Sequence, residues 1–468
     1  MFRSIFTNTF GILTSRILGF IRDMLTASVL GANIFSDIFF IAFKLPNLFR
    51  RIFGEGAFSQ SFIPAFTRSA KKGVFAIRVL FSFSIFLLVL TLIVQLFSQE
   101  ATFLIAFGFD KATRVLAAPF VAINFYYLIL IFWVTFLTAI LHYKHHFATS
   151  AFSTALLNLA LITALLLSAG NTPDVIVTFL SYGVVAGGIL QLIAHLIAIF
   201  TIGHNKFLWG GVKYYKKGKA QTDAPFSRFK SNFFPAVWGN STAQLAAFID
   251  TALASFLVTG SISYLYYANR IFQLPLALFA IATTIVVFPR VARALKNMDE
   301  TLATSQLNRA FWFLFPLLTL SVVGGITLSE EIVWLLFERG AFSEADRIIT
   351  SGVLIMYMIG LVPFGVAKLF SLWLYAKEQQ AKAAWIATYS LGGNIILSLI
   401  LIVPYGAHGL ALASTLSGFI TLILTVKAFG LNSFLAIIAN KKTIYLLIVS
   451  LIIFAISLGI KELFSAYL

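Results

Sequence analysis

Long apolar runs, separated by short polar segments, recur along the whole chain. A run of about 20 apolar residues is long enough to cross a ~30 Å hydrocarbon core as an α-helix. The pattern predicts 13 such spans, and no segment separates off as a soluble domain. In chain order they cover residues 6–30, 34–54, 74–98, 115–141, 147–168, 175–202, 232–258, 262–289, 309–328, 347–376, 382–404, 408–428 and 443–464. The pattern therefore predicts an all-α polytopic membrane protein.

The longest hydrophilic stretch runs from Gly203 to Lys230 and separates two groups of six spans, which one further helix follows. Leu45-Pro46 in the second span recurs as Leu274-Pro275 in the eighth. We interpret the groups as duplicated halves, which in transporters place the substrate site between them; the alternative is a chance recurrence in a Leu-rich chain. The predicted parts are an N-lobe at 1–203, a basic cytoplasmic loop at 204–230, a C-lobe at 231–430 and a C-terminal helical segment at 431–468.

Composition supports a membrane protein. Only 11% of the residues are charged, against roughly 25% in soluble domains, and 60% are hydrophobic. Of the 34 Lys and Arg residues, 24 fall on segments or span ends on the side of the N-terminus, 5 on segments or span ends of the other side, and 5 lie deeper within spans. The positive-inside rule then places the N-terminus in the cytoplasm. The net charge of +17 reflects this topology, so no nucleic-acid partner is expected.

Several ionisable side chains lie inside the predicted spans. A charge near the bilayer centre costs at least ~2.5–3.5 kcal/mol, so these side chains are expected to face a protein interior or a water-filled cavity. In the first two spans they are Arg16, Arg22, Asp23, Asp37 and Lys44. Asp250 and Arg270 lie in spans 7 and 8 of the second half. This distribution predicts one cavity lined by helices 1, 2, 7 and 8.

Arginine dominates the predicted cavity. The candidate substrate-binding residues are Arg16, Arg22, Arg50, Arg51 and Arg270. The planar guanidinium binds phosphate or carboxylate with two parallel hydrogen bonds, so the set suits a diphosphate or polycarboxylate headgroup. The alternative is that Arg–Asp pairs, such as Arg22 with Asp37, only join helices, and that Arg50 and Arg51 mark the cytoplasmic border.

No enzyme motif is present in the sequence. It lacks His-Glu-x-x-His, a phosphate-binding Gly-x-x-x-x-Gly-Lys loop and an Asp-rich diphosphate motif. The cluster His142-Tyr-Lys-His145-His146 is interpreted as an interfacial basic loop rather than a metal site. We therefore expect no catalytic residue, no metal and no cofactor. Transport would depend on an ion gradient, the membrane potential or a partner. A membrane-embedded transferase is the alternative from another class, but the acidic residues here are scattered.

Three N-terminal motifs carry a family resemblance. Ser15-Arg-Ile-Leu-Gly-Phe-Ile-Arg-Asp23, Asp37 to Arg51 and Gly54-Glu-Gly-Ala-Phe-Ser-Gln60 closely resemble the MurJ (MviN) family. The similarity continues through Ala254 to Arg270. These are bacterial lipid II flippases of the multidrug/oligosaccharidyl-lipid/polysaccharide exporter superfamily. The resemblance implies two six-helix lobes around a cationic cavity. It also implies export of lipid II from the inner to the outer leaflet of the cytoplasmic membrane by alternating access, without enzymatic activity.

The resemblance also assigns roles to particular residues. The family's important arginines fall on Arg16, Arg22, Arg50 and Arg270. Candidate gating or ion-pairing residues are Ser15, Asp23, Asp37 and Glu55, and a candidate sodium or proton site comprises Asp250, Asn394 and Ser398. Members usually have 14 helices, so a fourteenth would have to lie near 431–440. The expected partners are lipid II and membrane lipids, and the chain is expected to act as a monomer. The close alternative is an exporter of another polyprenyl-diphosphate-linked oligosaccharide or of a drug.

Overall fold

Every element in the described part of the chain is helical, as predicted. The computed structural model describes residues 2–52 and 58–464, and within these ranges there is no strand. Side chains are described from residue 10 onward, except at 51–52, 236, 238–243 and 464. The chain divides into two compact units, Met1–Phe256 and Leu257–Leu468.

The first unit contains eleven described helices and one short 3-10 turn. They are α1 (Phe2–Leu30), α2 (Ile34–Ile52), α3 (Phe58–Arg68), α4 (Lys72–Leu96), α5 (Ser98–Ile105), α6 (Lys111–Tyr143), α7 (Ala148–Ser168), α8 (Pro173–Thr201), α9 (Asn205–Lys213), α10 (Tyr215–Gly218), the turn Ala220–Thr222 and α11 (Asp223–Ala254). Within this unit α1 packs against α7, α7 against α8, and α2 against α6 and α8.

The second unit contains nine described helices and one π-helical stretch. They are α12 (Ser261–Pro275), the π-helical stretch Leu276–Ile281, α13 (Ala282–Lys296), α14 (Glu300–Thr327), α15 (Ser329–Phe337), α16 (Glu344–Ile359), α17 (Leu361–Ala376), α18 (Gln380–Phe429), α19 (Leu431–Ile438) and α20 (Lys441–Phe464). In this unit α17 packs against α14 and α18, and α12 against α16.

Each of the 13 predicted spans lies on one or more of these helices. Nine helical segments of the described residues are long and apolar enough to cross a membrane, which gives a multi-pass membrane protein. The helices that carry Arg22, Asp37 and Asp250, namely α1, α2 and α11, are not among the nine. The segment Gln380–Phe429 counts once although it holds two predicted spans, so the number of spans stays a prediction.

The boundary predicted between spans 11 and 12 coincides with a break inside α18. Gly406 adopts φ 54° and ψ −128°, a conformation open mainly to glycine, two residues after Pro404. A fourteenth span near 431–440 is not formed. Only the eight-residue α19 lies there, and at 1.5 Å per residue it is about 12 Å long.

The hydrophilic segment predicted as a loop at 204–230 is helical in the structure. It holds α9, α10, the turn Ala220–Thr222 and the start of α11. The compact units divide after Phe256, whereas the predicted lobes divide at 204–230. Packing of α11 accounts for this difference. Phe229 of α11 contacts Phe58 of α3 and Phe83 of α4, with ring centroids 5.8 Å apart in both pairs.

A capped turn fixes the start of α2. Asn33 Oδ1 accepts hydrogen bonds from the backbone N–H groups of Phe35 at 2.8 Å and Ser36 at 3.2 Å. In return, Ser36 Oγ accepts from the Asn33 backbone N–H at 2.7 Å. The cap satisfies N–H groups that have no partner within the helix. It also places Asp37 in the first turn, where the helix dipole favours negative charge.

Candidate functional site

Arg22 and Asp23 form a buried ion pair in the second half of α1. Arg22 is 8% exposed and Asp23 is 2% exposed. Asp23 Oδ1 accepts hydrogen bonds from Arg22 Nη2 at 2.5 Å and from Arg22 Nε at 3.1 Å. An ion at this depth costs several kcal/mol of desolvation unless a counter-ion and hydrogen bonds offset the cost. Asp23 supplies both, so the two side chains together carry no net charge.

Asn158 of α7 joins this ion pair to a neighbouring helix. Its Oδ1 accepts a hydrogen bond from Arg22 Nη1 at 3.0 Å, and its Nδ2 donates to the backbone oxygen of Ser15 at 2.9 Å. The Ser15 hydroxyl is also buried and donates to the backbone oxygen of Ala151 at 3.2 Å. These polar links fix α1 against α7 around the Arg22 guanidinium.

Sequence reasoning missed Asn158. The available signal was a single amide inside a predicted span, 147–168, that has no charged residue. A buried amide without a hydrogen-bonding partner costs about 1–3 kcal/mol in proteins, so a lone Asn in such a span indicates a polar partner on another helix. The sequence alone does not identify that partner as Arg22, which is 136 residues away.

The other predicted residues of the first unit have different environments. Arg16 is exposed on α1, and Asp37 of α2 is 3% exposed. Arg50 is half-buried near the end of α2, and its Nε donates to Asn47 Oδ1 at 3.0 Å. The pair of Arg22 with Asp37 stays a prediction. The side chain of Arg51 and the whole of Glu55 lie outside the described residues.

In the second unit, a tyrosine one turn away holds Arg270. Arg270 Nη2 donates to Tyr266 Oη at 2.7 Å, and the guanidinium carbon lies 4.9 Å from the centre of the Tyr266 ring. Both side chains are half-buried on α12. The face of an aromatic ring attracts a cation without neutralising it. Tyr266 thus orients the guanidinium of Arg270 and does not neutralise its positive charge.

Two further tyrosines on either side of Tyr266 attach α12 to the rest of the second unit. Tyr264 Oη donates to Asp346 Oδ1 of α16 at 2.8 Å. The fully buried Tyr267 packs against Phe337 and Phe342, with ring centroids 5.0 and 5.6 Å apart. Asp346 is itself fixed, because it forms a reciprocal cap with Ser343 at the start of α16. These contacts hold the helix that presents Arg270.

The predicted cation-site residues lie on two helices. Asp250 is half-buried on α11 in the first unit. Asn394 and Ser398 are buried one turn apart on α18 in the second unit, at 3% and 0% exposure. Within the described residues, Asn394 Oδ1 and Ser398 Oγ have no hydrogen-bonding partner. Two buried oxygen donors without partners suit a hard cation such as sodium. The cation site stays a prediction.

The histidine cluster contacts hydroxyl groups. His142 Nε2 lies 2.8 Å from Ser150 Oγ, and His146 Nε2 lies 2.9 Å from Thr149 Oγ1, both on α7. Across the described ranges, no group of three or more potential His, Cys, Asp or Glu ligands is placed to hold a metal ion. The histidines therefore connect the end of α6 to the start of α7.

Comparison with solved structures supports the architecture. A structure described as lipid II flippase MurJ in an inward closed conformation superposes with a TM-score of 0.79. It is 27% identical, and the match covers 97% of this chain and 98% of that one. An inward-facing multidrug resistance transporter of the MATE family superposes with a TM-score of 0.70 at 13% identity, over 92% of this chain and 96% of that one. The second likeness concerns the fold alone.

Sequence comparison identifies the family. The family model described as lipid II flippase MurJ matches residues 26–468. A probable lipid II flippase MurJ from Helicobacter pylori strain J99 is 51% identical over 427 residues, or 89% of this chain and 92% of that protein. Another, from Buchnera aphidicola, is 30% identical over 97% of this chain and 89% of that protein. With these matches along nearly the whole sequence, the chain belongs to the MurJ family of lipid II flippases.

Proposed function

We propose that this protein moves lipid II from the inner to the outer leaflet of the bacterial cytoplasmic membrane by alternating access. The observation that carries the proposal is the match to lipid II flippases along nearly the entire chain, in both sequence and fold. On this proposal the protein is a transporter in peptidoglycan biosynthesis rather than an enzyme. It acts as a monomer, with its N-terminus in the cytoplasm.

The arginines suit the diphosphate of lipid II. Arg22 and Arg270 are each held by neighbouring groups, Arg22 by Asp23 and Asn158 and Arg270 by Tyr266. A guanidinium whose orientation is fixed before binding loses less rotamer entropy when it forms two parallel bonds to a phosphate. Lysine has a point charge and lacks the fork, so it would reproduce the attraction but only part of the geometry.

The coupling step would use the membrane potential and a cation. After release of an anionic cargo outside, the empty cationic site returns toward a negative-inside cytoplasm. The potential favours this return by about 2.3 kcal/mol per charge per 100 mV. A sodium ion or a proton held by Asp250, Asn394 and Ser398 would add to this driving force.

The decisive experiment follows lipid II across the membrane. In cells depleted of the protein, lipid II synthesis should continue while lipid II stays in the inner leaflet. Arg270→Ala should fail to restore transport although the protein accumulates in the membrane, and Arg270→Lys should restore part of it. Arg293→Ala is the matched control, because Arg293 is an exposed arginine on α13 of the same unit. Lipid II that reaches the outer leaflet normally after depletion would contradict the proposal.

Arg22 needs a paired variant because of Asp23. Removing only Arg22 leaves a buried carboxylate without this counter-ion, and breaking a buried pair in this way costs about 3–5 kcal/mol. The double variant Arg22→Met with Asp23→Leu removes both charges together. If it accumulates but does not transport, Arg22 acts on the cargo. If it transports normally, the pair only joins helices.

The related alternatives make different predictions. An exporter of another polyprenyl-diphosphate-linked oligosaccharide would leave lipid II distribution unchanged on depletion. A drug exporter of the same superfamily would not require Arg270, because its cargo carries no diphosphate. The likeness to a MATE transporter at 13% identity concerns the fold and does not favour a drug as cargo.

A further inference from the structure

A lysine-lined cavity lies at the first turn of α4 in the first unit, away from the arginines described above. Its volume is about 510 Å³, and Lys71, Lys72, Lys206 and Lys217 line it. Among the described residues, no Asp or Glu lines this cavity. Nothing in the proposed transport cycle uses it.

The close packing of two glycines and the hydrogen bonds of one arginine hold the walls of the cavity together. Gly73 of α4 meets Gly211 of α9 so closely that a Cβ on Gly211 would overlap the Gly73 carbonyl oxygen. Further along α4, Arg78 Nη1 donates to the Lys219 backbone oxygen at 3.1 Å and to Asp223 Oδ1 at 2.6 Å. These contacts hold the segment from α9 to the start of α11 against α4, so the four lysines surround a fixed space.

No acidic side chain among the described lining residues balances the positive charge of the four lysines. Lysine cannot accept a hydrogen bond, so Lys71, the residue before α4, does not cap the first N–H groups of that helix. The positive end of the helix dipole therefore adds to four ammonium groups. Lys72 Nζ donates to Tyr143 Oη at 3.1 Å, which is a neutral partner. A bound anion would relieve the mutual repulsion of these charges.

The position of the cavity selects a membrane lipid over a soluble anion. The helix α4, Lys72–Leu96, is one of the segments suited to span a membrane, so its first turn lies at a membrane surface. Tyr214 lines the cavity and is 54% exposed, and beside the lining residues Gly210 and Gly211 along the chain, Trp209 is 70% and Val212 46% exposed. Exposed aromatic and aliphatic side chains beside lysines are typical of helices that lie in the headgroup region.

We infer that this cavity binds the phosphate of an anionic phospholipid headgroup, with Lys71, Lys72, Lys206 and Lys217 as its cationic contacts. The positive-inside count predicts that this lipid belongs to the cytoplasmic leaflet. Trp209 and Val212 would contact the upper part of its acyl chains. The bound lipid would fix α9 and α10 to the membrane surface. The inference concerns a structural lipid and does not depend on which cargo the protein transports.

Two double variants with equal charge test the inference in the full-length protein. Lys206→Gln with Lys217→Gln removes two lysines that line the cavity. Lys213→Gln with Lys216→Gln removes two exposed lysines of the same segment that do not line it. Binding of a water-soluble short-chain phosphatidylglycerol to the detergent-solubilised protein is measured by titration. The probes for comparison are the matching phosphatidylcholine and inorganic phosphate, and thermal unfolding confirms that each variant is folded.

The double variant Lys206→Gln with Lys217→Gln should weaken phosphatidylglycerol binding by roughly 30-fold, since each lysine near a membrane surface contributes a factor of about five in affinity. The control variant should change it less than about threefold. Phosphatidylcholine and inorganic phosphate should bind far more weakly than phosphatidylglycerol. Equal losses in both double variants would overturn the inference in favour of diffuse surface attraction. Equal affinity for inorganic phosphate would overturn the assignment to a lipid.

Discussion

The hydrogen bonds of Asn158 predict that this amide positions Arg22 for transport. Asn158→Ala removes the acceptor at 3.0 Å from Arg22 Nη1 and the donor at 2.9 Å from the Ser15 carbonyl. Asn158 is 3% exposed, so water does not readily replace either bond. The guanidinium keeps its ion pair with Asp23 on the same helix but loses its link to α7.

The energetic cost follows from the two lost hydrogen bonds. A bond to a charged group contributes about 1.5–3 kcal/mol and a neutral one about 0.5–1.5 kcal/mol. The free energy of unfolding of the first unit should therefore fall by about 2–4.5 kcal/mol. The Arg22 side chain would also become more mobile, because its hydrogen bond to Asn158 is lost. If the contact of the more mobile Arg22 with the phosphate of the cargo is weakened by about 1.4 kcal/mol, transport per folded molecule falls about tenfold.

A matched variant separates stability from positioning. Asn124 is a fully buried amide of α6 that donates from Nδ2 to Ser181 Oγ and to the Phe120 carbonyl, both at 2.9 Å. Asn124→Ala removes two neutral bonds, which contribute about 1–3 kcal/mol together. Both variants should melt at lower temperature. Only Asn158→Ala should reduce flipping of fluorescent lipid II in proteoliposomes after normalisation to folded protein.

Two outcomes would refute the prediction for Asn158. If the normalised flipping rates of Asn158→Ala and Asn124→Ala agree, the contact between Asn158 and Arg22 only joins α1 to α7. If Asn158→Ala reduces flipping without lowering the melting temperature, the two hydrogen bonds do not stabilise the unit and the energetic estimate is wrong.

Three further predictions concern topology, burial and coupling. The chain has no cysteine, so Lys216→Cys and Asn171→Cys each introduce a single thiol, and labelling should reach them from opposite sides of the membrane. Glu331 is 6% exposed and, in the described residues, neither carboxylate oxygen has a hydrogen-bonding partner. Glu331→Gln should therefore keep or raise the melting temperature, whereas Asp346→Asn disrupts a helix cap and should cost about 1–2 kcal/mol. Asp250→Asn should weaken the dependence of flipping on sodium or on protons, and an unchanged dependence on both would exclude Asp250 from coupling.

The apolar spans were predictable because their signal is strong and local. A run of about 20 apolar residues has few alternatives to a membrane helix, and the boundary between spans 11 and 12 coincides with Pro404 and Gly406. The shorter helices α3, α5, α9 and α15 were not predicted. Each has 8–11 residues, so tertiary packing rather than length or hydropathy stabilises them.

The candidate site was predictable in its residue types but not in its pairings. The cost of burying a charge identified Arg22 and Asp23 from the sequence alone. The choice of Asn158 as a partner depends on how α1 and α7 meet, which no local pattern encodes. The same limit applies to Tyr266. Its neighbours Tyr264 and Tyr267 have equal propensities, and only the packing of α12 decides which of the three holds Arg270.

We expect the two interpretations of the arginines, cargo binding and helix joining, to apply to different residues. Asp23 compensates the charge of Arg22, so that pair adds little to the net attraction for an anion, although it can still direct hydrogen bonds. Arg50 contacts the neutral amide of Asn47, which orients a cation and leaves its charge in place, and Tyr266 orients Arg270. We therefore expect Arg50 to contribute electrostatic attraction for a diphosphate, and Arg22 to contribute geometry. Arg22 is buried, whereas Arg50 and Arg270 are half-buried, and each of the three has a local partner that offsets part of its desolvation cost.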